Sequence, residues 1–91
     1  MTFEKACEKA LSFLAKQFGD KGFDHIWDLG DSWLFSGDDG SKLARYGPNP
    51  VRVYKTNGSL ELFLLSNPAN WESIDRGTKI NIPEKYVVTN G

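Results

Sequence analysis

The 91-residue chain has one cysteine, one histidine and one methionine. A lone Cys7 excludes an internal disulfide and any metal site built on several thiolates, and fits a reducing compartment. The lone His25 would need a thiol, hydroxyl or carboxylate partner close in space to serve a metal centre or nucleophilic triad, and strand alternation sends its neighbours Asp24 and Asp28 to the opposite face. The net charge is only −1, so no global field draws the chain to nucleic acid or an anionic membrane. No apolar run approaches the roughly 18 residues needed to span a bilayer, and the first residues lack the charged-then-apolar layout of a signal peptide. A cytoplasmic location is therefore expected. No glycine-rich phosphate loop, Gly-x-Ser-x-Gly elbow or paired metal-ligand motif is present, which predicts neither an enzyme nor a cofactor.

What the chain does have is aromatic residues, 13% of the total, enough to supply much of one modest core. At this length there is room for a single domain. Phe3, Ala6, Cys7, Ala10, Leu11, Leu14 and Phe18 recur at spacings of three and four, with Lys5, Glu8, Lys9, Ser12 and Lys16 opposite. That periodicity predicts a helix over 3–18, capped by Thr2 and ended by Gly19. Cys7 falls on its apolar stripe, where a thiol behaves as a small hydrophobe.

Phe23, His25, Trp27 and Leu29 then alternate with Asp24, Ile26 and Asp28, a half-buried strand with its aromatics on one face. Gly30-Asp31 offers a tight turn into a second strand over 32–36, with Trp33 and Phe35 on one side. Residues 37–50 hold three glycines and two prolines and read as a long irregular connection, the kind of segment in which binding residues concentrate. Val51–Lys55 and Leu60–Leu65 flank Thr56-Asn57-Gly58-Ser59, a strong hairpin signal. Leu60, Leu62 and Leu64 alternate with the apolar Phe63 and Leu65, which predicts a central strand covered on both faces. The turn also explains the Asn57-Gly58-Ser59 sequon. Asn67-Pro68 opens a short helix closed by Gly77, Thr78–Ile82 reads as an edge strand stopped by Pro83, and 84–91 is expected to fray. The predicted fold is α+β: an N-terminal helix packed on an antiparallel sheet of about five strands, with a short second helix before the last strand and a folded core over 1–83.

Charge is distributed unevenly. Asp20, Asp24, Asp28, Asp31, Asp38 and Asp39 are six carboxylates against the single Lys21 over 20–39. Asp38-Asp39-Gly40-Ser41 lacks the ligand spacing and closing glutamate of a calcium loop. A one-signed patch instead steers encounter with an oppositely charged protein. Lys42, Arg45, Arg52 and Lys55, interleaved with Tyr46 and Tyr54, are too few for a nucleic-acid module in an acidic chain. The expected partner-binding residues are Asp28, Asp31, Asp38 and Asp39, which would steer a basic partner domain, with Tyr46 as anchor. The competing reading is a small-molecule module whose cavity is lined by Trp27, Trp33 and Phe35.

Asp31-Ser32-Trp33-Leu34-Phe35, followed by Gly47–Pro50 leading into Val51-Arg52-Val53-Tyr54-Lys55, Asn57-Gly58 and the Leu60 strand, resembles the immunity protein 35 or YrhB-like group of bacterial polymorphic toxin systems. The likeness covers roughly residues 3–83 in element order. It implies a protein that binds and neutralises a cognate toxin, without catalysis or cofactor, and it carries no functional residues to transfer. The helix-and-sheet order is also similar to cystatin-like inhibitors, but their Gln-x-Val-x-Gly hairpin motif is absent.

Overall fold

The computed structural model describes residues 1–38, 50–63 and 67–87. Helix α1 spans Phe3–Phe18. Thr2 Oγ1 accepts from the Lys5 N–H at 3.2 Å, so one of the donors orphaned at the helix start is satisfied. Gly19 ends the helix at φ 73°, a left-handed conformation that lets the Gly19 and Asp20 N–H groups fold back to the Ala15 and Leu14 carbonyls. Ala6, Cys7, Ala10 and Leu14 form the buried stripe. Three of these four are small, and α1 packs directly on strands β2 and β3 (Ser32–Asp38 and Val51–Tyr54).

With β1 (Gly22–Asp28), β4 (Leu60–Leu62) and β5 (Thr78–Ile80), these strands form one antiparallel sheet in the order β4-β3-β2-β1-β5. The β1–β2 turn closes as expected: Gly30 sits at φ 95°, its N–H goes to Asp28 Oδ1 at 2.8 Å, and the Leu29 N–H goes to the Ser32 carbonyl. The β3–β4 turn uses Gly58 at φ 71°, with the Gly58 N–H on the Tyr54 carbonyl and the Tyr54 N–H on that of Ser59. The Lys9 ammonium donates to the Gly58 carbonyl, tying α1 to this second hairpin.

Two strand assignments differ from the sequence reading. The strand after Asn57-Gly58 is a three-residue edge, not a central strand, and Leu62 is 43% exposed. The centre belongs to β2, where adjacent Leu34 and Phe35, which point to opposite faces, are both fully buried. Strand β2 also runs two residues further than expected, through Gly37 and Asp38.

In β1 the pairing register slips between Phe23 and His25. This bulge inserts an extra residue at exposed Asp24 and reverses the parity of everything after it. Phe23 and Ile26 therefore both join the core under α1. Trp27 lies opposite Leu34 and beside the His25 ring at 5.3 Å, on the face away from the helix. The expected single aromatic face of β1 is split.

Helix α2 covers Pro68–Arg76, capped by Asn67 Oδ1, which accepts from the Ala69 N–H. Its closing Gly77 has an ordinary extended φ of −73°. Space favours glycine there, since a Cβ would lie 3.2 Å from the Asp28 carbonyl oxygen and 2.8 Å from Leu29 Cδ2, whose side chain would have to move aside. Strand β5 pairs with β1 at the sheet edge. Beyond Pro83 the chain does not fray at once: Glu84–Tyr86 form a 3-10 turn, and Tyr86, 7% exposed, packs against Phe23 with ring centroids 5.5 Å apart and the rings tilted, within the core. A tyrosine in an unpatterned tail carries no periodic signal of that burial. Residues 88–91 of the expected tail lie outside the described residues.

Candidate functional site

Of the expected partner-binding residues, Asp28, Asp31 and Asp38 are described, while Asp39 and Tyr46 lie outside the described residues. Asp28 and Asp31 flank the β1–β2 turn, and each is matched by a cation from the strand or turn across the sheet. Asp28 Oδ1 accepts from Lys55 Nζ at 2.8 Å. Arg52 Nη2 reaches Asp31 Oδ1 at 2.9 Å and Oδ2 at 3.1 Å. Lys55 and the Gly30 N–H hold the Asp28 carboxyl below its ordinary pKa. Arg52 and the Ser32 hydroxyl do the same for Asp31. Asp20 is buried at 3% exposure, close against Gly37. The sheet thus brings two carboxylates of the acidic stretch, Asp28 and Asp31, onto the basic residues that follow the long connection.

Arg52 organises this corner. Its Nε donates to the buried Ser32 Oγ at 2.7 Å, and its guanidinium lies 4.7 Å from the Tyr54 ring centroid and 5.9 Å from that of Phe63. Lys55 Nζ sits 5.2 Å from the Trp33 ring centroid. Arg52 also borders a cleft of about 350 Å³ between the sheet and α2, lined by Leu29, Asp31, Arg52, Ser73 and Arg76. Alternation along Val51-Arg52-Val53 puts Arg52 on the outer face and is readable in the sequence. Its pairing with Asp31 and the approach of α2 are not, because both depend on contacts between distant segments.

The register defines a row across the outer face of the sheet: Lys79, Trp27, Leu34, Arg52 and Glu61 lie side by side on successive strands. Trp33, Phe35, Val51 and Val53 point the other way, toward α1. Trp27 is thus separated from Trp33 and Phe35 by the sheet itself. The three cannot line one cavity, which corrects the expected aromatic pocket.

His25 packs beside Trp27, and its Nδ1 is buried without a hydrogen-bond partner among the described residues. Burial pushes the Cys7 thiol up to about 11, against the opposing effect of Lys85. That leaves it a thiol at neutral pH, a poor nucleophile and ligand. Among the described residues no group of three His, Cys, Asp or Glu side chains is placed to hold a metal ion, and no helix is long and apolar enough to cross a membrane. A smaller cavity, about 260 Å³, opens between the first turn of α1 and the 3-10 turn. No protein-family model, curated protein or solved structure matches the chain.

Proposed function

We propose that this chain is a non-catalytic protein-binding domain, an immunity protein that binds and neutralises a cognate bacterial toxin. The observation that carries the reading is the composition of the surface left uncovered by α1. On that face Leu34 is fully buried, and the side chains that reach the surface around it are the half-buried Trp27, Arg52 and Tyr54 and, on α2, which buries none of its residues, Trp71 at 52% exposure. Tryptophan, tyrosine and arginine are the residues enriched where protein interfaces concentrate their binding energy.

Size is consistent with this. Four inter-strand spacings of about 4.8 Å make the row about 19 Å long, and α2 adds about 13 Å of helix at 1.5 Å per residue. Row and helix together span on the order of a few hundred Å², so a standard interface of roughly 800 Å² per partner also draws on the adjoining surface. The segments that carry the immunity-family resemblance, 31–35 and 51–55, are neighbours on this sheet and are joined by the Asp31–Arg52 pair. In this reading Asp28 and Asp31 serve as a rigid ion-paired rim, not as free steering charges.

The test uses the purified domain as bait in a lysate of its source organism, followed by activity assays of the retained protein. Retention of one stoichiometric toxin, inhibited on addition of the domain and at least about tenfold less tightly held by Trp71→Ala, supports the reading. A retained set without toxic activity, or no retention at all, rejects it.

A further inference from the structure

We propose that the cleft between the sheet and α2 is a carboxylate-binding site that takes one acidic side chain of the protein partner. This rests on the protein-binding reading of the same face. A guanidinium has five N–H donors. In Arg52, Nε goes to Ser32 Oγ and Nη2 to both Asp31 oxygens, while Nη1 has no acceptor among the described residues. These bonds and the Tyr54 ring fix the guanidinium plane, so a further acceptor meets a donor pair already oriented.

Arg76 stands in the last turn of α2 with its side chain 79% exposed, and its Nη2 donates to Glu72 Oε1 at 3.1 Å. Its Nε and Nη1 have no acceptor among the described residues either. Ser73 contributes a hydroxyl that, among the described residues, makes a long 3.4 Å contact to the Ala69 carbonyl. Among the described residues the lining holds two guanidinium groups, a hydroxyl, one apolar wall at Leu29 and one carboxylate, Asp31, which Arg52 and Ser32 already occupy. Among the described residues of the cleft, no carboxylate besides Asp31 is at hand for the remaining donors.

The charge count selects the kind of anion. Asp31 matches Arg52, and the exposed Glu72–Arg76 pair is weakly held and screened by water. One additional negative charge can replace Glu72 on Arg76 at little cost. A phosphate dianion would bring a second charge close to Asp31 with no cation to match it. The partial negative end of the α2 dipole, which Arg76 itself offsets, acts in the same direction.

The probe is N-acetyl-glutamate N-methylamide, titrated into the 15N-labelled full chain at constant ionic strength while the arginine Nε–Hε signals are followed. The neutral glutamine analogue and inorganic phosphate serve as comparison arms. Saturable shifts of Arg52 and Arg76 with the glutamate probe, with a dissociation constant of roughly millimolar for so few atoms, and about tenfold weaker binding to Arg76→Gln, are expected. Equal shifts with the glutamine analogue, or saturation by phosphate but not by the carboxylate, would overturn the assignment. A bait that retains its toxin while the probe leaves both arginines unmoved rejects the cleft alone. Probe saturation by a domain that retains no toxin rejects the protein source of the carboxylate.

Discussion

Arg52 and Asp31 are joined through one terminal nitrogen that contacts both carboxylate oxygens, at 2.9 and 3.1 Å, while the same guanidinium anchors the buried Ser32 hydroxyl. The pair fastens the β1–β2 turn to β3 and sets the wall of the α2 cleft. Because Asp31 is 62% exposed in its side chain, the ion pair itself is screened and worth little. The contact with Ser32 and the packing over Tyr54 dominate.

Arg52→Ala is accordingly expected to destabilise the fold by about 1–2 kcal/mol, and Asp31→Asn by less than half of that. Urea denaturation read by tryptophan fluorescence distinguishes the two. An Asp31→Asn loss as large as that of Arg52→Ala would show that the ion pair carries the corner.

Acid should loosen the same corner. Asp28 and Asp31 have folded pKa values below their ordinary 3.8, so near that pH the unfolded chain binds more protons than the folded one. Their stabilisation is fully present well above 3.8, begins to fall as pH descends toward that value, and is lost through the lower folded values. The double variant Asp28→Asn, Asp31→Asn should show a flatter fall in urea midpoint below about pH 5. An acid limb as steep as that of the parent would place the sensitivity elsewhere.

Cys7 is fully buried and its thiol is raised to about 11. Labelling by a thiol-specific disulfide reagent at pH 8 should therefore be slow in the folded protein and should accelerate in parallel with unfolding as urea is added. Fast labelling without denaturant would mean that the helix face opens locally.

Glycine replacements separate space from conformation. A Cβ at Gly37 would fall onto the Asp20 carboxylate and lie 3.1 Å from Leu14 Cδ1, so Gly37→Ala should cost about 1–3 kcal/mol through overpacking. At Gly19 nothing lies within 4 Å, and Gly19→Ala pays only for its left-handed backbone, about 1 kcal/mol. Thermal denaturation should rank Gly37→Ala below Gly19→Ala, and the reverse order would contradict the close approach of Asp20 to β2.

Tyr86 tests the reach of the core. Tyr86→Ala should cost about 3 kcal/mol by emptying the space against Phe23. Lys85→Ala, which removes the exposed contact to Glu4 at 2.7 Å and an ammonium 5.1 Å from the Tyr86 ring centroid, should lower the urea midpoint far less. Equal effects would mean that the tail is held by its ion pair and not by burial.

Local physics accounts for much of this architecture. The limits of α1 follow from spacings of three and four between Thr2 and Gly19, and both turns follow from glycines that reach positive φ at Gly30 and Gly58. Asn67-Pro68 sets the start of α2 in the same way. Each signal lies within a few residues of the structure it specifies, so helix, hairpins, edge strand β5 and the α+β class are readable from the chain alone.

Other features required distant segments to meet. The bulge at Asp24 breaks the alternation that the strand's own sequence displays, and it lets Phe23 and Ile26 both fill the space under α1. The central place of β2 depends on neighbours recruited on either side, which a strand's own sequence does not name. The site shows the same division: the sequence displays an acidic stretch and a basic stretch, and only strand pairing brings Asp31 to Arg52 and Asp28 to Lys55, which neutralises those two carboxylates. Periodicity along a chain determines which face a side chain occupies within its own element, whereas what stands opposite that face is set by packing, and charge acquires its meaning there.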